Sequence, residues 1–308
     1  MSDPTEQPYN LDTMAAWRER GEYLTLCGHR IFTVDTGETD RPCIVLIHGF
    51  PTSSWDWQSL WDALNGEYRL VALDMLGFGF SDKPDNRDYT IHGQADLWEA
   101  LIRLKSIEQY HVLAHDYGDT VAQELLARQL DGTGAGTWLS GCFLNGGLFP
   151  ETHRALLTQK LLLSPLGPWV NKLSGYRQFA ARFSSVFGEQ TKPSESELRA
   201  FWAVINENNG KHLFHNLITY IRDRRIHRER WINALLESPV PLALINGSVD
   251  PVSGQHMVAR YKELQCRLDY LGELAAIGHY PQVEDPSGVL NHYRQFLQLD
   301  QHIHSEAT

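Results

Sequence analysis

The sequence lacks an excess of basic residues, long hydrophobic runs and closely spaced cysteine pairs. It carries 27 Lys and Arg against 38 Asp and Glu, which gives a net charge of −11 over 308 residues. Because nucleic acids and anionic membrane surfaces attract basic proteins, we expect neither as a partner. The apolar runs are as long as strands, as in Cys43–Ile47, and none approaches the ~18 residues of a membrane span.

The beginning of the chain, MSDPTEQPYN, has neither a basic segment nor an apolar one, so we expect no signal peptide. The four cysteines are far apart and form no CxxC motif. Such spacing is typical of reduced, buried thiols in a cytoplasmic protein. A disulfide between two of the cysteines is the alternative. The cysteines are Cys27, Cys43, Cys142 and Cys266.

Hydrophobic residues make up 42% of the chain and charged residues 21%, which is enough to build a sizeable core. Short apolar runs alternate with helical patterns, which predicts an α/β fold with a mostly parallel, eight-stranded sheet. The predicted helices span residues 53–64, 91–104, 117–129, 254–264 and 286–297. The predicted strands span residues 22–26, 31–35, 43–47, 70–73, 110–114, 138–144, 241–245 and 267–271.

This rhythm is lost between Gly147 and Glu237, where helical patterns rich in aromatic residues replace the strands. We interpret the segment as a helical cap inserted into the core. The predicted organisation is therefore core over residues 1–146, cap over 147–237 and core again over 238–308. The basic run RDRRIHRER at 222–230 favours a solvated helix face with local ion pairs over an anion site.

A candidate nucleophile follows the predicted strand 110–114. Asp116 has the small residues Ala114 and Gly118 two positions to either side. This is the spacing of the G-x-S-x-G nucleophile elbow, with Asp in the place of the nucleophile, because a tight strand-to-helix turn brings neighbouring backbones close. An Asp before a helix is also a common N-cap, so the short motif does not decide between the two interpretations.

The motif HGFP at 48–51 directly follows the predicted strand 43–47. A turn there can aim the backbone N–H of Phe50 into the site. Together with the N–H of Tyr117, it would form an oxyanion hole.

Two further candidates follow in chain order. Asp250 comes after the predicted strand 241–245, and His279 comes after the last strand. The order Asp116, Asp250, His279 is the chain order of nucleophile, acid and histidine in the fold that carries a nucleophile elbow. Asn145 lies where some proteins of this kind keep a carboxylate, but an amide cannot act as the acid.

From about Trp17 to Leu297, these motifs resemble the α/β-hydrolases of the epoxide hydrolase and haloalkane dehalogenase superfamily. Within it, the chain is similar to the mesoderm-specific transcript protein group. The resemblance implies an α/β-hydrolase fold with a cap. We expect a monomer or a homodimer. It rests on the stretches VLIHGFPTSSWDW, LDMLGFGFSDKP, HDYGDTVAQELL, NGGLFPETHR, TKPSESEL and HYPQVEDP.

An aspartate nucleophile suits an sp³ carbon that bears a leaving group, and its attack leaves an alkyl ester on Asp116. His279, oriented by Asp250, would then activate water to hydrolyse that ester. Such a mechanism needs a small apolar electrophilic substrate and water, with no cofactor and no metal. Asp119 departs from the small residue usual in relatives, and we expect it to complement the helix dipole.

The leaving group is less defined. Haloalkane dehalogenases hold halide with an Asn and a Trp at the positions that Phe50 and Tyr117 occupy here. Epoxide hydrolases use two cap tyrosines to protonate the epoxide oxygen, for which Tyr220 and Tyr176 are the candidates. Epoxide hydrolysis to a diol is therefore the leading expectation. Haloalkane dehalogenation and a non-catalytic ligand-binding protein are the alternatives.

Overall fold

The computed structural model describes residues 8–85, 89–152, 164, 167–173 and 175–306. They contain one eight-stranded sheet, as predicted, in the order β1-β2-β4-β3-β5-β6-β7-β8. The strands are Glu22–Leu26 (β1), His29–Asp35 (β2), Cys43–Ile47 (β3), Arg69–Leu73 (β4), Gln109–His115 (β5), Thr137–Leu144 (β6), Leu242–Gly247 (β7) and Tyr270–Leu274 (β8).

The sheet is antiparallel at one edge and parallel elsewhere. β2 pairs antiparallel with β1 and β4, whereas all pairs from β4 through β3 to β8 are parallel. Every residue of β3, β4 and β7 is buried, because helices cover both faces. Alternate side chains of one strand therefore enter different cores: Val45 and Ile47 lie in one cluster, Ile44 and Leu46 in the other.

Helices of the described residues flank this sheet and fill the segment between β6 and β7. Those around the sheet are Leu11–Arg20 (α1), Gln58–Leu64 (α2), Ile91–Leu104 (α3), Tyr117–Leu130 (α4), Gln255–Glu263 (α11), Pro281–Glu284 (α12) and Pro286–Glu306 (α13). Those between β6 and β7 are Gly167–Leu173 (α5), Tyr176–Ser184 (α6), Glu195–Asn206 (α7), Phe214–Leu217 (α8), Tyr220–Ile226 (α9) and Arg228–Leu236 (α10), with a 3₁₀ segment at Glu207–Leu213.

The boundaries of a separate cap at 147 and 237 stay a prediction. The described part of that segment contains helices and no strand of the sheet. Within the predicted cap, residues 153–163, 165, 166 and 174 lie outside the described residues. In the ranges that the structure covers, no helix combines the length and apolarity that crossing a membrane requires.

α1, β8 and the last helix are among the elements that differ from the sequence-based expectation. α1 was not anticipated, because Trp17 is its one buried residue and the apolar pattern is weak; the Trp17 indole donates to Ser54 Oγ at 3.1 Å. β8 begins at Tyr270 rather than at 267, because Arg267 bonds to the helix before β7, where its N–H donates to Leu235 O at 3.0 Å. The last helix, α13, continues beyond 297.

The expectation of four buried thiols is wrong for one of them. No disulfide joins the four cysteines, and three of them are buried, but Cys27 is exposed. It lies in the tight turn between β1 and β2 with a φ of 50°. A turn at the edge of the sheet has no element packed above it, so the side chain stays in solvent.

Candidate active site

Asp116 lies on a strained turn between β5 and α4. Its φ of 47° and ψ of −105° are unusual for a residue with a side chain. Its backbone N–H donates to Leu144 O at 3.1 Å, which ties the turn to the end of β6. A Cβ at position 118 would overlap the Ile47 carbonyl oxygen, so only Gly118 lets α4 begin this close to β3. The small residue that the motif predicted therefore has a physical reason.

The predicted oxyanion turn contacts the same carboxylate. The backbone N–H of Phe50 donates to Asp116 Oδ2 at 3.1 Å. The hydroxyl of Tyr280, a residue that sequence reasoning did not assign, donates to Phe50 O at 2.9 Å and holds the turn from behind. Tyr117 is the first residue of α4. Within the part of the chain that the structure describes, no hydrogen bond joins its N–H to the Asp116 carboxylate.

The structure brings His279 and Asp250 to this point as well. His279 Nδ1 lies 2.7 Å from Asp250 Oδ2, and His279 Nε2 lies 3.7 Å from Asp116 Oδ1. The first distance is a hydrogen bond and the second is too long for one. All three side chains are almost fully buried at the carboxyl ends of strands, where open α/β sheets place their sites.

Asp250 has its own set of supports. Its two oxygens accept the backbone N–H groups of Val252 and Ser253 at 2.7 and 3.0 Å. Asn145, from the end of β6, donates its amide N–H to Asp250 Oδ2 at 3.0 Å. The amide that replaces a carboxylate at this strand end thus orients Asp250.

The surroundings of His279 and Asp250 favour the charged forms of both side chains. Burial alone would lower the pKa of His279, but the charges of Asp250 and Asp116 outweigh it and raise the pKa to about 9. Burial likewise opposes ionisation of Asp250, yet the imidazolium and its hydrogen bonds lower the pKa of that carboxyl. In the resting site at neutral pH, His279 is therefore protonated.

Glu284 fixes the loop that carries His279. Its Oε2 accepts the backbone N–H groups of Gly188 and Gly278 at 2.8 and 2.9 Å. Its Oε1 accepts the N–H of Tyr280 at 2.9 Å. Sequence reasoning missed this role, because one carboxylate that collects N–H groups from distant segments has no local pattern.

The prediction of a solvated face for residues 222–230 is wrong at one position. Arg224 is 1% exposed, and its Nε donates to Thr120 Oγ1 at 2.8 Å. One of its terminal nitrogens donates to the backbone carbonyl of Asp116 at 3.3 Å. This arginine therefore links α9 to the turn of the candidate nucleophile. The flanking Arg228 and Arg230 form ion pairs with acidic residues, as predicted.

Asp119 also differs from its expected role. The side chain is fully buried in the first turn of α4. Burial, and then the charge of Asp116, raise the pKa of this carboxyl well above its usual range. Burial thus disfavours the charged carboxylate that complementing the helix dipole would require.

A cavity of about 140 Å³ opens above Asp116 and His279. Its size resembles that of an engineered cavity of ~150 Å³ that takes up benzene. Tyr220 lines it and packs edge-on against Tyr117, with 4.9 Å between the ring centroids. Burial, then the Asp116 charge, raise the pKa of Tyr220 well above its ordinary value, so its hydroxyl stays protonated.

Tyr176, the second candidate proton donor, is not brought to this cavity. Its ring packs against Trp202 at 6.1 Å and under the Arg199 guanidinium at 4.9 Å. Among the described residues that line the cavity, Tyr176 is absent. The first turn of α6 points its side chain at α7 instead, so the pair of cap tyrosines is not assembled.

Comparison with known proteins finds relatives over nearly the whole chain. Residues 42–131 match the alpha/beta hydrolase fold family. The mesoderm-specific transcript homolog protein of Bos taurus is 43% identical over 291 residues, which cover 92% of this chain and 87% of that one. LipZ of Mycobacterium tuberculosis, whose name calls it a hydrolase, is 36% identical over 88% of this chain and 93% of its own.

Solved structures share the fold at low identity. A loop variant of the haloalkane dehalogenase DbeA from Bradyrhizobium elkanii superposes with a TM-score of 0.78 at 21% identity. The match covers 94% of this chain and 99% of that one.

Proposed function

This chain belongs to the α/β-hydrolase family, in the group of the mesoderm-specific transcript proteins, and we propose that it hydrolyses a small apolar electrophile through an ester on Asp116. The fold and the hydrolase-named relative support a hydrolase. One observation carries the finer proposal. The Asp116 carboxylate has one oxygen on the Phe50 N–H and the other directed to His279, beneath an apolar cavity.

In the first step, an Asp116 oxygen attacks an sp³ carbon of the substrate and the bond to the leaving group breaks. For an epoxide, the electron pair of the C–O bond goes to the ring oxygen, which takes a proton from an acid. Tyr220 lines the cavity and keeps its hydroxyl proton, and we assign the role of this acid to it. The carboxylate becomes an alkyl ester and loses its charge.

After the first step, the Tyr220 phenolate recovers its proton, through water, from the His279 imidazolium, which leaves the imidazole neutral. In the second step, this imidazole takes a proton from water, and the hydroxide attacks the ester carbonyl carbon of Asp116. The Phe50 N–H stabilises the oxyanion that forms. The tetrahedral intermediate then breaks its bond to the alkoxy oxygen, the His279 imidazolium gives that oxygen a proton, and the diol leaves with Asp116 restored as a carboxylate. Loss of the Asp116 charge in the first step removes one of the charges that raise the pKa of His279. The imidazole thereby becomes easier to deprotonate when a base is needed.

Trapping the ester tests this proposal. In His279→Gln, attack by the carboxylate needs no base but hydrolysis does, so the ester should accumulate. The variant is incubated with 1,2-epoxyoctane, styrene oxide and 1-bromooctane, and the tryptic peptide 106–128 is examined for the added mass. Fragment ions must place the label on Asp116 rather than on Asp119, and the double variant with Asp116→Asn is the matched control.

Haloalkane dehalogenation is the second candidate, for one specific reason. The indole of Trp202 lines the same cavity, and an indole N–H is a donor that a leaving halide can accept. Labelling by the epoxides supports the first candidate, and labelling by 1-bromooctane alone supports the second. No label from any of the three, with an inactive wild-type protein, favours a non-catalytic ligand-binding role.

A further inference from the structure

The cavity combines an apolar wall with two cationic side chains. Seven of its lining residues are Phe, Tyr or Trp, and among them Phe179, Phe183 and Phe214 come from the segment between β6 and β7. Arg182 and Lys211 line the same space. Arg182 is exposed in the last turn of α6 and Lys211 is half-buried, so both side chains reach solvent.

Little negative charge opposes these cations. Asp116 is the one carboxylate among the described lining residues, and it is engaged by Phe50 and His279. The ion pairs of the described residues include neither Arg182 nor Lys211, although Lys192 of the same segment between β6 and β7 is paired with Glu189. In a chain with a net charge of −11, this is a local concentration of positive charge.

The position of Lys211 is built rather than incidental. Asn171 is 3% exposed and lines the cavity, and its amide group donates to the backbone carbonyls of Lys211 and His212 at 2.8 and 2.7 Å. The Lys211 ammonium lies 5.9 Å from the centre of the Trp202 ring, which also lines the cavity. The buried amide therefore holds the segment that presents the cation at the aromatic wall.

We propose that the substrate is an amphipathic anion, with an apolar chain among the aromatic side chains and a carboxylate or similar monoanion held by Arg182 and Lys211. Burial of the ligand's apolar chain against the aromatic side chains favours binding, and the two cations attract its anionic head group from solvent. The reacting carbon then lies toward Asp116, away from the charged end. This inference rests on the proposed function for the reaction, but the charge selectivity is measured without it.

Binding of unreactive eight-carbon probes tests the inference by calorimetry at low salt. Octanoate should bind at least about tenfold more tightly than octan-1-ol or octylammonium. The ion pairs of its carboxylate with Arg182 and Lys211 each strengthen binding a few-fold, and the two act together. Octyl sulfate reports whether the site prefers a carboxylate or accepts any monoanion. Raising NaCl to 0.5 M should weaken octanoate and leave octan-1-ol unchanged.

Charge-neutral variants assign the effect. Arg182→Gln and Lys211→Gln should each weaken octanoate about three- to tenfold without changing octan-1-ol. Arg177→Gln, exposed on the same helix as Arg182 but outside the cavity lining, is the control and should change neither. Equal binding of octanoate and octan-1-ol, or an equal loss in Arg177→Gln, would overturn the inference.

The two proposals fail separately. Selective octanoate binding without any ester on Asp116 would contradict the reaction and leave the ligand class standing. An ester formed from neutral epoxides, without preference for the anionic probe, would contradict the ligand class and leave the reaction standing.

Discussion

Replacing Asp250 by Asn should lower the pKa of His279 while the shape of the site is kept. Asp250 Oδ2 lies 2.7 Å from His279 Nδ1, and its charge and hydrogen bond are the leading causes that raise the pKa from 6.5 to about 9. At ~1.4 kcal/mol per unit, this corresponds to about 3 kcal/mol in favour of the folded imidazolium. In Asp250→Asn, burial is opposed by Asp116 and Glu284, so we expect the pKa of His279 to fall back toward its ordinary value of 6.5.

The sign for stability follows from the same value. A pKa that folding raises stabilises the protein fully below pH 6.5, and this contribution is lost as the pH rises through about 9. The free energy of unfolding should therefore differ more between Asp250→Asn and the wild type at pH 6 than at pH 10.

The assay is an NMR titration of the His279 imidazole with ring-labelled histidine, assigned by its loss in His279→Gln. Asp62→Asn is the control, since Asp62 is exposed and pairs with Arg20. A His279 pKa that stays near 9 in Asp250→Asn, in a variant that circular dichroism shows to be folded, would refute the electrostatic reasoning.

Three further changes test the scaffold of the site. Gly118→Ala should lower stability by about 1–3 kcal/mol in chemical unfolding, because the new methyl overlaps a backbone carbonyl, whereas Gly93→Ala on α3 should be neutral; equal effects would contradict the packing argument. Glu284→Gln should slow ester hydrolysis more than ester formation in stopped-flow assays, because it loosens the loop of the base; a uniform loss would contradict this. Arg224→Met should slow ester labelling in the His279→Gln background, while exposed Arg225→Met should not; equal labelling of the two would show that the buried contact to the turn is dispensable.

Much of this architecture is local enough to be predicted. The sheet was predictable because strands buried on both faces are continuous apolar runs, and β3, at Cys43–Ile47, is one. The elbow at Asp116 was predictable because a tight turn requires small residues at fixed spacing, and Gly118 meets this requirement. The chain order placed Asp250 and His279 at neighbouring strand ends, and the structure has them 2.7 Å apart.

Other features depended on segments that meet only in the folded chain. Arg224 was taken for a surface residue because its neighbours in sequence are charged, yet the turn that buries it lies more than a hundred residues earlier. The sequence placed Tyr220 near the second cap tyrosine of epoxide hydrolases, whereas Tyr176 lies in no motif and was the remaining partner. The direction of each helix placed one in the cavity wall and the other against α7.

The sequence by itself determined the α/β class and the turn that carries Asp116, because these follow from periodicity and from spacing within a few residues. Only the tertiary structure decided which distant groups surround Asp116. Contacts such as those of Glu284 and Arg224 join segments far apart in the chain, and their energies depend on burial that no local pattern specifies.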